Sequence, residues 1–222
     1  MISIIIPTKD EEKIIYDTVI ALQNLRENKL CEIILVDGMS DDNTINIVRP
    51  YIDKVVTCPA NRGSQQNLGA KISSGQTLVF LHADTHINKK HIEFLSKLKS
   101  KQYWGFFKLS FDRKDLKYKI LSFFINFRSY LFDYGTGDQV IFIQKELFHK
   151  INGFPDFEIM EDINICSKLK KYFKPVMSNI YITTSARKWH TEGFLKTIFK
   201  MRILRFLYHI KIKPSKLKTY YK

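Results

Sequence analysis

Apolar residues in this chain fall into short unbroken blocks and into longer stretches where they recur every three or four positions. Residues 2–6, 32–36, 54–57 and 77–81 are blocks rich in Ile, Val, Leu and Thr, and they read as strands because such side chains suit an extended backbone. Between them, residues 11–26, 41–51 and 64–74 read as helices, the first carrying Ile14, Ile15, Thr18, Leu22 and Leu25 as a stripe at helical spacing. Strands that do not alternate apolar with polar are covered on both faces. The succession of strand and helix therefore predicts an α/β fold with a mostly parallel central sheet and helices on both sides.

Beyond residue 100 the pattern changes. Residues 104–111 read as a strand, 116–132 as an aromatic-rich helix, "GTGDQVIFI" as a glycine turn leading into a strand, and 145–151 as a short helix. "GFPDFEIMEDINICSKLKKY" reads as a loop and then a helix, 180–184 as a last strand, and 191–209 as a basic amphipathic helix. There is no internal repeat or low-complexity linker, and the length suits one domain with an appendage.

In parallel sheets ligands bind outside the carboxyl ends of the strands. The four early strands run into "PTKDEE", "DGMSDDNT", "PANRGSQQN" and "HADT", so Thr8, Asp10, Asp37, Arg62 and Asp84 are expected on one rim. Ser40 or Asp41 can cap the following helix, which leaves Asp37 to accept hydrogen bonds from a nucleobase or a ribose hydroxyl. Arg62, at a helix start, is either a solvated charge or a phosphate ligand. Asp84 is either a turn former or a carboxylate that holds a divalent metal against phosphates.

Glu161 and Asp162 open a helix, where the macrodipole favours acids, and either could serve as a general base. Asp138 and Gln139 follow a glycine-rich turn that a ligand can approach. "SARKWH" brings Arg187, Lys188, Trp189 and His190 together for phosphate pairing and ring stacking, with His190 read as structural.

Charge adds a second feature. The formal net charge is +14, and residues 187–222 hold eleven Lys or Arg against one acid, Glu192, which gives +10 in that segment alone. Interleaved with Phe, Leu and Ile, such a segment is expected to seek an anionic surface, a membrane leaflet or nucleic acid. The three cysteines are scattered without paired spacing, which fits a reducing cytosol. No run of about 18 uncharged apolar residues predicts a membrane span, and "MISIIIP" does not read as a signal peptide.

Taken in order, these motifs resemble the family 2 glycosyltransferases of the GT-A fold, whose sheet is Rossmann-like. Pro7, Asp10, Glu11 and Glu12 match the opening P-x-x-N-E-E, with Asp10 in place of Asn. Val36 to Thr44 match the nucleoside motif VDDGSxDxT with Gly38 in place of its second acid. His82-Ala83-Asp84 matches D-x-D with His in place of its first Asp, and Glu161-Asp162 matches the acceptor-side acidic pair. "NRGSQQNLGA", "FLHADT", "GDQVIF", "GFPDFEIMEDI" and "TSARKW" are similar to a bacterial subgroup associated with radical-SAM and selenium-domain proteins.

The resemblance implies a metal-dependent, inverting transfer of a sugar from a nucleotide-sugar donor to a lipid or other small acceptor. Pro7, Thr8, Glu11, Asp37, Arg62 and His82 would lie on the nucleotide side, Asp84 would bind Mg²⁺ or Mn²⁺, and Asp162 with Glu161 would form the catalytic pair. Asp138, Gln139, Arg187 and Trp189 would lie on the acceptor or phosphate side. Residues 1–186 would be the transferase unit, divided near residue 100 into nucleotide and acceptor halves, and 187–222 a basic extension at the inner face of the cell membrane. A nucleotidyltransferase would instead show a glycine-rich, lysine-ending loop after strand one, where "PTKDEE" has no glycine. A non-catalytic nucleic-acid or membrane-binding module would have lost the rim acids, and Asp37, Asp84 and Asp162 are all present.

Overall fold

A computed structural model describes residues 1–98, 102–157 and 159–221; Glu158 of the "GFPDFEIMEDI" motif and Lys222 of the basic segment lie outside these. Strands β1 (Ile2–Thr8), β2 (Cys31–Asp37), β3 (Lys54–Thr57) and β4 (Thr77–Phe80) are separated by helices α1 (Ile15–Ile20), α2 (Gln23–Glu27), α3 (Thr44–Val48) and α4 (Arg62–Ile72). The second half adds β5 (Thr85–His86), α5 (Lys89–Ser96), β6 (Trp104–Phe111), α6 (Leu116–Phe132), β7 (Ile141–Gln144), α7 (Lys145–Lys150), α8 (Glu161–Leu169) and β8 (Val176–Thr184). It ends in α9 (Arg187–Thr191), α10 (Phe194–His209) and α11 (Pro214–Tyr221).

The strands form one sheet in the order β3-β2-β1-β4-β7-β6-β8-β5. The first four run parallel, β7 runs antiparallel to both β4 and β6, and β8 runs parallel to β6. Successive side chains alternate between two cores: Ile4, Ile6, Ile33 and Leu35 pack on one face, Ile5, Ile34 and Val36 on the other. This two-sided burial is why the early strands show no polar alternation.

Several boundaries differ from the sequence reading. Segment 11–26 starts its helix late, because the amides of Glu11 and Glu12 are held from another loop by Thr44 Oγ1 (2.8 Å) and Asp42 Oδ2 (3.1 Å), and it divides into α1 and α2. The second helix begins at Thr44, whose amide donates to Asp42 Oδ1 at 3.0 Å, so Asp42 takes the role expected of Ser40 or Asp41. The last strand begins at Val176, extended by parallel pairing with β6. Helix α5, missed in the sequence, is fixed by a capping box between Asn88 and His91 and buries Ile92 and Leu95. In the basic segment Gly193, at φ +90°, makes the helix expected over 191–209 begin at Phe194 as α10, and the short α9 precedes it.

The basic segment is docked: Leu204 and Leu217 bury against Ile159, Met160 and Ile163 at the start of α8, and Asn164 Nδ2 donates to Tyr208 Oη at 3.1 Å. Among the described residues no helix is long and apolar enough to cross a membrane.

At the amino ends of the strands, buried Glu32 accepts from Ser3 Oγ (2.6 Å), from Lys54 Nζ (2.9 Å) and from the Ser74 amide. Burial alone would raise its pKa, but hydrogen bonds from Lys54, Ser3 and Ser74 and the charge of Lys54 outweigh it and hold the carboxyl at about 2. A depressed acid stabilises the fold above its ordinary pKa of 4.5, and that contribution fades as pH falls toward about 2. Because Lys54 is a third exposed, water screens the pair. Glu32→Gln should lower the unfolding free energy by about 1–2 kcal/mol at pH 7 and by less at pH 3 in urea titrations; an equal loss at both would contradict this assignment.

Candidate active site

The reversal of β7 decides where side chains meet. The carboxyl ends of β1 to β4 share one rim, and because β7 runs the other way its start, with the preceding Gly137-Asp138 turn, lies on that same rim. The carboxyl ends of β6 and β8 join it, at Phe111 and Thr184. A cavity of about 960 Å³ opens there, lined by Pro7, Glu11, Arg62, His82, Asp84, Asp138, Asp162, Arg187 and Trp189 among others. Nine of the thirteen residues singled out in the sequence thus border one space.

Three distant segments interlock at its floor. The Gly137 amide donates to Asp162 Oδ2 at 3.0 Å, while Asp162 Oδ1 accepts from its own helix at Ile163 N, 2.7 Å. His82 Nδ1 lies 3.2 Å from Asp138 Oδ1. A Cβ on Gly137 would sit 2.5 Å from His82 Nε2, so any side chain there would have to displace the His82 ring or the turn. Loss of surrounding water would raise the Asp138 pKa, but the hydrogen bond and charge of His82, with Arg62 and Lys188, hold it at about 2, although the side chain stays 54% exposed and water weakens these pairings.

Asp84, half-buried, accepts from Thr85 Oγ1 at 3.3 Å, and its carbonyl takes the Ser185 amide at 3.2 Å, which ties the end of β4 to the end of β8. Arg187 reaches back across the rim to Glu11, Nη2 to Oε2 at 3.2 Å. Burial pushes Glu11 up; Arg187 opposes this, Asp84 adds to it and Arg62 opposes it, so three other rim charges act on Glu11. Trp189 makes ring contacts with Phe111 and Phe194.

Four of the residues read from the sequence stand behind this surface. Asp37 is fully buried and accepts from Thr8 Oγ1 (3.0 Å), Ser40 N (2.7 Å) and Ser40 Oγ (2.6 Å), so Asp37 and Thr8 shape the rim from within. Gln139 is buried, accepting from Ser129 Oγ at 2.8 Å and from the Thr136 amide at 3.2 Å. Glu161 is buried beneath Asp162, with Arg62 Nη1 at 3.7 Å.

The polar motifs hold the rim together. Asn61 caps α4 and donates, as does Ser64, to Asp156 at 2.8 Å; Gln65 donates to the carbonyls of Thr8 and Val36; Asn67 exchanges hydrogen bonds with Phe154. "NRGSQQN" and "GFPDF" are therefore two halves of one clamp, which sets the loop leading to Glu161 and Asp162.

Among the described residues no three His, Cys, Asp or Glu side chains stand close enough to hold a metal ion. Asp84 fits instead a cation that takes most of its oxygen ligands from phosphate and water, as Mg²⁺ commonly does. Sequence reasoning also missed Arg128 and Arg205, which line the same cavity. The available signal was Arg128 standing as the lone cation within the aromatic run "SFFINFRSYLF".

A family model described as glycosyl transferase family 2 matches residues 3–150. A poly(ribitol-phosphate) beta-N-acetylglucosaminyltransferase, TarS, of Staphylococcus aureus strain Mu50 is 28% identical over 100 residues, covering 41% of this chain and 17% of that protein. The chain thus matches under a fifth of that relative's length. Its fold is that of GT-A glycosyltransferases. S. aureus TarS 1–349 in complex with UDP-GlcNAc superposes with a TM-score of 0.65 at 18% identity, covering 83% of this chain and 58% of that one. The mannosyltransferase PcManGT of Pyrobaculum calidifontis, in complex with GDP-Man and Mn²⁺, gives 0.66 at 16%, covering 93% and 61%. Glucosyl-3-phosphoglycerate synthase of Mycobacterium tuberculosis, with Mn²⁺, UDP and phosphoglyceric acid, gives 0.64 at 15%, covering 96% and 79%.

Burial and the adjoining Asp162 carboxylate raise the Glu161 pKa, with Arg62 opposing them. A raised acid favours the fold below its ordinary value of 4.5, and that contribution is lost as pH rises through the higher folded-state value. Glu161→Gln should therefore flatten the fall of melting temperature as pH rises from about 5 to about 7, leaving pH 5 nearly unchanged. Parallel pH profiles for variant and parent would refute the assignment.

Proposed function

The chain belongs to glycosyl transferase family 2, and on that premise we propose that it transfers a sugar from a nucleotide-sugar donor to an amphiphilic acceptor by single displacement. The observation that carries this reading is the convergence of Asp84, the His82–Asp138 pair and Asp162 on one cavity. The sugar-nucleotide and Mn²⁺ complexes of the structural relatives support the donor and metal classes. The interlocked "NRGSQQN" and "GFPDF" motifs are the ground for assigning the narrower bacterial radical-SAM-associated subgroup.

In this reading Pro7, Glu11, Arg62 and His82 border the donor, while Thr8 and Asp37 hold the strand ends that carry them. Asp84 would hold a divalent cation, which supplies charge to stabilise the departing diphosphate. Asp162 takes the proton from the attacking acceptor oxygen as that oxygen bonds to the anomeric carbon and the bond from that carbon to the diphosphate breaks. Its Oδ2, held by the Gly137 amide, is oriented before substrate arrives. Glu161 beneath it and Asp138 beside it set the local charge. Arg187 and Trp189 belong to the segment after residue 186, which we assign as an extension that completes the acceptor side.

Exposed apolar residues on α6 (Phe123, Phe124, Phe127, Leu131) and α10 (Leu195, Phe199, Ile203, Phe206) flank this cavity among basic residues. That combination supports work at an anionic membrane surface on the cytoplasmic side.

A panel of sugar nucleotides with Mg²⁺ or Mn²⁺, scored by thermal shift and nucleotide release, tests the reading. One donor should protect the protein in a metal-dependent way, and Asp84→Ala should abolish that dependence. Asp162→Asn should keep donor protection while cutting turnover by about 10²–10⁴-fold. Protection by none of the donors, together with steeply salt-dependent RNA or DNA binding, would replace this reading with a nucleic-acid module.

A further inference from the structure

The cavity extends well beyond the donor end. Its outer part runs between α6 and α10, with walls that include Ile120, Leu121, Phe124, Phe127, Ile198 and Phe206. Within this apolar channel stand Arg128 and Arg205. The guanidinium of Arg128 lies 5.0 Å from the Tyr134 ring centroid, and its Nε is buried without a hydrogen-bond partner. Among the described residues neither arginine forms an ion pair with an acid. Burial and the neighbouring Arg205 push Arg128 down to about 10, with Tyr134, Asp162 and Asp138 opposing them. The acids that do reach it, Asp162 and Asp138, line the same cavity.

Two cations side by side in an apolar channel, one with a buried unsatisfied donor, call for an anion that brings its own hydrocarbon. We propose that the channel between α6 and α10 is a binding site for a phosphate-bearing amphiphile, its phosphate held between Arg128 and Arg205 and its alkyl chain lying along the aromatic face of α6. Charge complementarity selects the headgroup, and the Phe and Ile walls select the tail. Electrostatic reach from Arg128 to Asp162 brings that headgroup beside the base, so the site names the acceptor class for the transfer proposed above and rests on that reading for its role.

Binding can be measured without turnover. In calorimetry, n-dodecyl phosphate below its micelle concentration should bind the intact chain more tightly than dodecanol, and more tightly than inorganic phosphate. Arg128→Gln and Arg205→Gln should each weaken dodecyl phosphate by about 10–100-fold, with donor-induced thermal protection unchanged. Phe124→Asp should weaken the alkyl phosphate and leave inorganic phosphate unaffected. Inorganic phosphate binding as tightly as the amphiphile would reduce the site to a plain anion pocket and overturn the proposal. Unchanged binding in both arginine variants would overturn it too, as would a matching loss of donor protection, which would move the arginines to the donor. Dodecyl phosphate binding with no donor recognised would sustain the site while defeating the transferase reading.

Discussion

One hydrogen bond and one steric fit carry the arrangement of the cavity floor. The Gly137 amide reaches Asp162 at 3.0 Å, and the missing side chain of Gly137 leaves room for the His82 ring, which in turn meets Asp138 at 3.2 Å. Residues 82, 137–138 and 162 come from three separate elements, and no local interaction would bring them together. Their meeting depends on β7 running against β4, so that a turn entering the sheet faces the same way as the loops leaving it. The positions of His82, Asp138 and Asp162 are thus set by sheet topology first and by a single glycine second.

Charge follows the same division. Along the rim acids and cations neutralise one another at close range, Arg187 with Glu11 and Arg62 with Glu161. Between α6 and α10 the balance is broken, because the basic segment after residue 186 folds back over α8 and brings Arg205 to Arg128. A surplus of positive charge that looked like a tail property is therefore partly a property of the cavity. The exposed Phe and Leu side chains of α6 and α10 border that surplus. Anionic amphiphiles combine the two features such a surface complements.

Much of this was legible in the sequence. Strand positions in the first half followed from unbroken apolar blocks, since two-sided burial leaves no polar face. The rim acids followed from the rule that loops after parallel strands face one edge, and Asp84 is where that rule put it. The rule could not tell a residue that faces the cavity from one that faces the strand beside it. Asp37 is the instance: its carboxylate is fully engaged by Thr8 and Ser40, which only the register between β1 and β2 reveals. Nor could local pattern foresee that Gln65 would tie two strand carbonyls, or that a short α9 would precede the basic helix. Arg128 escaped notice because its meaning lies in α10, which follows it by more than sixty residues.

The claim on which the rest stands is that the Gly137 turn holds His82 and Asp162 in register. Steady-state turnover of Gly137→Ala, measured beside its melting temperature, tests it most directly. The added methyl must displace His82 or the turn, and a shift of about 1 Å at reacting groups costs on the order of 100-fold. The account predicts a loss of turnover of that order with only a small change in melting temperature. Turnover equal to the parent's would contradict it.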